Sequence, residues 1–318
     1  MKEQLEKHQV CLYLGAVLTG ITIGSGYPVL GAMFGQGIWP AIALLLYITF
    51  LQIPMVRFQD AFKDGRFLGA LLLGNFVIMP TLVWFLVSVM PLSDPIMLGV
   101  LLVLLVPCTD WFIAFTHLGK GNTARAIVAS PLLLLMQILA LPFYLWLFMG
   151  EQLASLDIAE QLLPAFLSLI LLPLLLAWLT EWLSTKRKRL SRFVQGLSWW
   201  PLPLLALVLF MVAVSQSNLV LEAGPVLWRV LVLFVLFLAA AAIVGRWLTR
   251  AFGLEASSGR TLVFSLGTRN SFVVLPLALA LPDVWAMAVV VVVFQSLVEL
   301  FGMMAYLKWV PRWFERGR

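Results

Sequence analysis

Charged residues in this sequence come in clusters, and nearly every stretch between clusters is apolar for about 18 residues or more. That is long enough to cross the hydrocarbon core of a bilayer. Lipid offers nothing to backbone N–H and C=O groups, so such stretches must bond internally as helices. The expectation is an all-α polytopic membrane protein of about ten transmembrane helices, with no room for a soluble domain. The residues are 62% hydrophobic and 11% charged, against about 25% charged in soluble domains. The net charge of +6 is read as a record of orientation in the bilayer, not as a nucleic-acid surface.

In order, the expected spans cover Gln9 to Gly26, Ile38 to Met55, Phe67 to Met90, Pro95 to Leu118 and Ala126 to Met149. They continue with Leu162 to Trp182, Leu197 to Val214, Val226 to Ile243, Thr261 to Leu281 and Val284 to Leu307. Gly24, Gly26, Pro28, Gly31 and Gly35 are read as an uncharged loop. Arg57 to Arg66, Lys186 to Arg192 and Arg246 to Arg260 are read as basic loops, and Glu151, Asp157 and Glu160 as an acidic one. The segment Met1 to His8 mixes Lys and Glu, and no small-residue cleavage site follows, so the first span is read as retained. With both termini cytoplasmic, every Lys and Arg except Arg229 and Arg269 falls on the inner side, as the positive-inside rule requires. The expected location is the inner membrane.

Two of the spans are interrupted. The fourth holds Pro107, Cys108, Thr109 and Asp110; the ninth holds Gly267, Thr268, Arg269, Asn270 and Ser271. Proline removes a backbone donor, and freed backbone at membrane depth is tolerated only where protein or a water-lined cavity satisfies it. Each interruption lies in the fourth span of a five-span half. The chain therefore reads as one domain, residues 1–318, holding an inverted repeat of about 9–149 and 160–308. Paired broken helices in opposite halves point to a transporter binding site.

Asp110 and Arg269 lie at the breaks, where each charge costs about 2.5–3.5 kcal/mol on insertion scales. They could form a structural ion pair holding a crossing together. Alternatively, Arg269 could bind an anionic substrate or replace a coupling cation. Cys108 could hold a thiophilic species or be an ordinary buried apolar residue. Glu299, mid-span, could relay protons or snorkel from a helix end. Asn75, Ser265, Thr268, Asn270, Ser271 and Gln295 offer neutral oxygens and amides, which also serve interhelical bonding. His117 is placed near a helix end, and Trp199, Trp200, Trp309 and Trp313 suit an interfacial belt. Cys11 and Cys108 make neither a disulfide framework nor a zinc motif. No phosphate-binding loop, metalloprotease motif or serine–base pair occurs, so neither an enzyme nor a cofactor or metal site is expected.

At these residues the sequence resembles the arsenical-resistance (arsenite efflux) permeases of the bile acid/arsenite/riboflavin transporter superfamily. Pro107-Cys108-Thr109 looks like their Pro-Cys-Thr signature, whose cysteine is implicated in metalloid transport. Leu297-Val298-Glu299 is similar to their Leu-Val-Glu. Gly74-Asn75-Phe76 with Pro80 is similar to the Asn-aromatic segment of the third span, and Arg269-Asn270-Ser271-Phe272 to the asparagine-rich motif of the ninth. The resemblance implies a bile acid sodium symporter-like fold, with a panel domain and a core domain holding two crossed discontinuous helices, the fourth and ninth. This chain departs from the pattern at three places. Val273 stands where the permeases carry glutamate. Asp110 is not their usual residue. Ser265 and Arg269 stand where the sodium–bile acid branch binds sodium through glutamate and glutamine, and a guanidinium there argues against sodium coupling at that site.

The expected function is alternating-access secondary transport, with arsenite or related metalloid efflux exchanged for protons. Cys108, Thr109, Asn75, Asn270 and Ser271 would bind substrate, while Asp110, Arg269 and Glu299 would carry coupling or charge compensation. Transport of a small organic anion at Arg269 is the alternative, and a non-transporting membrane sensor is a third class. The bilayer, a small solute and protons are the expected partners; a homodimer is left open.

Overall fold

The computed structural model describes residues 2–55, 63–154 and 163–315, and among them it is helical throughout, without strands. Segments that fall outside these residues include most of the basic loop beginning at Arg57, the acidic residues Asp157 and Glu160, and the tail residues Arg316 and Arg318.

The N-terminal helices are α1 (Lys2–Gly26) and α2 (Pro28–Phe50). Next, α3 (Gly65–Leu73) runs through a π turn (Gly74–Ile78) into α4 (Met79–Val89). Then come α5 (Asp94–Leu104), α6 (Trp111–Leu118) and α7 (Thr123–Ala154). A π segment (Phe166–Leu171) leads into α8 (Leu172–Lys186), followed by α9 (Lys188–Gly196), α10 (Pro201–Ser215) and α11 (Ser217–Glu222). The last elements are α12 (Gly224–Ala251), α13 (Ala256–Gly267), α14 (Ser271–Leu279) and α15 (Met287–Glu315).

Among the described residues, six continuous helices are long and apolar enough to cross a membrane: Val29–Phe50, Gly65–Val89, Thr123–Gly150, Leu163–Lys186, Val226–Ala251 and Asp283–Glu315. Counting the bent pair Lys188–Trp199 and Pro201–Ser215, which meet at 49°, as one span makes seven. The two interrupted stretches fall short because each half is brief: 11 and 8 residues for α5 and α6, 12 and 9 for α13 and α14.

The glycine-rich stretch expected as a loop is helical on both sides of Tyr27. Pro28 sits in the first turn of α2, where its missing N–H costs nothing, so α2 starts ten residues before Ile38. Two glycines of α1, Gly20 and Gly24, serve contact, not a turn. Gly20 and Gly24 are one turn apart, and a Cβ on Gly24 would lie 2.3 Å from the Val214 carbonyl oxygen. One on Gly20 would lie 2.7 Å from that of Phe210. This small-xxx-small spacing lets α1 and α10 approach closely, the packing mode favoured in lipid. At its other end α2 stops at Phe50, before Pro54, and not at Met55. The basic stretch after α8 is also helix, α9, with no buried residue and one strongly polar face.

Pro80 has no N–H to reach the Phe76 carbonyl one turn back. That carbonyl is taken instead by the Tyr144 hydroxyl of α7, so the π turn and the proline are served by a neighbouring helix. The helices form two packing groups. In one, α1 and α2 pack on α10, and α8 packs on α2; in the other, α15 is central, against α5, α12, α13 and α14. Contacts of α1 with α15 and of α2 with α14 join the groups.

Candidate functional site

The two interruptions meet. Val106, Pro107 and Cys108 lie antiparallel to Thr268, Arg269 and Asn270, with Pro107 opposite Arg269. The Cys108 N–H donates to the Thr268 carbonyl at 3.2 Å, and the Asn270 N–H donates to the Val106 carbonyl at 2.8 Å. Pro107, which has no N–H, occupies the place in this short ladder where none is needed. Backbone groups orphaned at the four half-helix ends are thus partly satisfied by each other, in a region closed to water: Cys108, Thr109, Thr268, Arg269 and Asn270 are all buried.

Side chains complete the crossing. Asn270 caps α14, its Oδ1 accepting from the Val273 N–H at 3.4 Å, while its Nδ2 lies 3.4 Å from Thr109 Oγ1. Cys108 Sγ donates to Asp110 Oδ1 at 3.1 Å, and Asp110, which is half-buried, stands at the start of α6. There its carboxylate faces the partial positive charge of a helix N-terminus. At the other break the Arg269 guanidinium turns back along α13. Its Nη2 donates to the Leu266 carbonyl at 2.5 Å, and its Cζ lies 4.9 Å over the Phe237 ring. A cation on the last carbonyls of a helix complements the negative end of its dipole.

Glu299 is 1% exposed, so it does not snorkel. Its Oε2 accepts from the Arg269 backbone N–H at 2.8 Å and from Gln295 Nε2 at 2.8 Å. The Gln295 Oε1 in turn accepts from Ser271 Oγ at 2.6 Å. A continuous chain of bonds therefore links Ser271, in the first turn of α14, to Glu299 in α15 and back to the break. Arg269 Nε and Nη1 and Glu299 Oε1 are buried with no hydrogen-bond partner among the described residues. No ion pair joins Asp110 to Arg269 among them. The carboxylate that meets the second break is Glu299, and it does so through the backbone N–H of Arg269.

Of the residues singled out from sequence, Cys108 with Asp110, Thr109 with Asn270, and Arg269 with Glu299 are brought together, and Ser271 joins through Gln295. Asn75, wholly buried in the π turn, donates to Ser265 Oγ at 3.0 Å and to the Leu71 carbonyl at 3.2 Å. It bonds α13 one turn before the break, not the break itself. His117 is exposed near the end of α6. The sequence reading missed an aromatic wedge. Trp111 stacks on Tyr13 at 5.8 Å and meets Phe272 edge-on at 5.4 Å. Trp111 is the first residue of α6 and Phe272 the second of α14, so one aromatic follows each break, and the pair abuts α1 of the other packing group. Their positions straight after the polar residues were the available signal.

A bundle of apolar helices whose interrupted members meet at buried polar groups defines the class: a multi-pass membrane protein. The family model described as Sodium Bile acid symporter family matches residues 39–223. The chain belongs to that family, whose members carry small solutes across membranes and are not enzymes. The matched stretch contains the first break; the second lies beyond it. No curated protein matches the chain.

Proposed function

We propose that the chain is a secondary transporter exporting arsenite or a related trivalent metalloid in exchange for protons, working by alternating access in the inner membrane with both termini cytoplasmic. Its ten spans, counting each broken stretch as one, would form an inverted five-plus-five repeat. The group around α10 would be the panel and the group around α15 the core. One observation carries the metalloid reading: a buried thiol bonded to a carboxylate, Cys108 to Asp110, at the meeting point of two broken helices. The thiolate is the form that binds thiophilic centres, and Asp110 is positioned to draw off the thiol proton. With arsenous acid, the S–H and one As–O bond would break, an S–As bond would form, and the proton would leave with the hydroxyl as water. No electrons change hands, so the step reverses on release. Thr109, Asn270, Ser271 and Asn75 would supply or order neutral oxygens and amides suited to the remaining hydroxyls. Arg269, turned onto the α13 carbonyls, would stand in for a coupling cation, and Glu299 or Asp110 would carry the proton.

The test is arsenite accumulation in everted vesicles under an imposed proton gradient. The natural protein should accumulate arsenite, and Cys108→Ser should fall to the level of empty vesicles. Equal uptake by both would remove Cys108 from the path. No uptake by either would remove the metalloid reading.

A second reading rests on Arg269 Nε and Nη1, which have no hydrogen-bond partner among the described residues. A buried guanidinium with free donors suits a carboxylate or sulfonate, so a small organic anion would bind there. Transport of such an anion that is lost in Arg269→Gln and kept in Cys108→Ser would select this reading over the first.

A further inference from the structure

Away from the crossing, the outer faces of α12 and α15 enclose a groove of about 860 Å³. Its floor is made of small residues, Ala239, Ala242, Gly302 and Ala305, and its walls of large exposed ones, among them Val235, Phe301 and Trp309. Gly302 packs against Leu238, whose Cδ1 would lie 2.5 Å from a Cβ at that position, so the helices touch behind the groove and part in front of it. The lining on α15 runs from Val298 to Trp313, a rise of about 22 Å. One leaflet of the hydrocarbon core is about 15 Å deep, so the groove covers a leaflet and reaches the interface beyond it. At the interfacial end the lining turns cationic. Arg312 lines the groove beside Trp313, and Arg246 of α12 lies 4.8 Å over the Trp313 ring. Lys308 and Arg250 stand one turn away from them on the same two helices and are exposed.

We propose that this groove is a binding site for one anionic phospholipid, its acyl chain along the small-residue floor and its phosphate between Arg246 and Arg312. A continuous apolar channel one leaflet long that ends in two arginines and an indole has the amphipathic order of a lipid. Basic pockets between spans hold anionic headgroups in this way. A second copy of this chain would meet like charge at that end. The site also touches the transport machinery. Tyr306, which also lines the groove, donates its hydroxyl to the Leu238 carbonyl, and its ring lies against Gly267 at the edge of the second break. The bound lipid would therefore back the contact that holds the end of α13.

The experiment is intact-protein mass spectrometry of the purified full chain after titration with phosphatidylglycerol or with phosphatidylcholine of identical acyl chains. One phosphatidylglycerol should stay bound where phosphatidylcholine does not. Its retention should fall at least about tenfold, the equivalent of losing one charge-assisted contact, in the double variant Arg246→Gln with Arg312→Gln. Ala239→Phe, which fills the floor and leaves both arginines in place, should abolish retention too. Should that variant fail to fold, Ala305→Val serves the same purpose with a smaller side chain. Equal retention of the two lipids, or retention unchanged in the arginine or the floor variants, overturns the proposal. So does a dimer in which both grooves become protected from labelling at Ala239→Cys.

Discussion

At the scale of single residues, Glu299 is the group whose role is most open to a clean test. One of its oxygens is held by the Arg269 N–H and Gln295, and the other has no partner among the described residues. Glu299→Gln keeps the shape and leaves a carbonyl oxygen to accept from Arg269, but it can no longer take up or release a proton. The variant should fold and bind substrate, while gradient-driven accumulation is lost and pH dependence flattens; counterflow between equal pH compartments should survive. A variant that still concentrates substrate against a gradient would show that the proton travels elsewhere. Cys108, Asp110, Arg269 and Glu299 were legible in the sequence because an ionisable or reactive group at membrane depth is conspicuous. Their pairing was not legible. Sequence suggested Asp110 with Arg269, since both lie at breaks. In the structure the local backbone turns the guanidinium toward the α13 carbonyls and brings Glu299 to the N–H of the same residue.

At the scale of helices, the six long spans were legible from apolar runs, whereas helix ends were not. Hydropathy marks the part of a helix that must be in lipid, but α7, α12 and α15 continue through charged residues into the interface. Glycine misled for a related reason. In water it weakens a helix, but in lipid it lets two helices touch, as Gly20 and Gly24 do against α10. Gly24→Leu should therefore destabilise the protein by about 1–3 kcal/mol through overpacking. Gly15→Leu, earlier in the same helix at a position where a Cβ meets nothing within 4 Å, should leave the melting temperature in detergent unchanged. If the two variants melt alike, the α1–α10 contact is not what holds that group together. Legibility also failed at the π turn: Pro80 announced a disturbance, but the helper that absorbs it, Tyr144, is remote in sequence.

At the scale of the whole molecule, the division into two packing groups matters more than any one contact. The crossing, Glu299 and Arg269 all belong to the group around α15, and the aromatic wedge of Trp111 and Phe272 presents that group to Tyr13 of the other. On the proposed reading, a group of helices that carries its own guanidinium has little need of an external cation. Transport should therefore proceed at the same rate when sodium is replaced by choline at constant pH. Arg269→Gln, which removes the built-in charge, should slow it at least tenfold or make it respond to added sodium. Sodium dependence in the natural protein would contradict this and return the cation site to its customary occupant.

The short ladder between the breaks also has a consequence for how the chain is made. Thr109 reaches its partner Asn270 across 161 residues of sequence, so the first interruption enters the bilayer long before the second has been synthesised. Until then Val106 and Cys108 lack the backbone partners that the finished protein provides, and unsatisfied groups in hydrocarbon cost several kcal/mol each. The nascent amino-terminal half must either hold water at that level or delay its final placement. A translation intermediate arrested after α7 should consequently leave Cys108 open to a small maleimide, and the thiol should close off only once α13 and α14 have been inserted. Cys108 would then also report the completion of the chain's assembly.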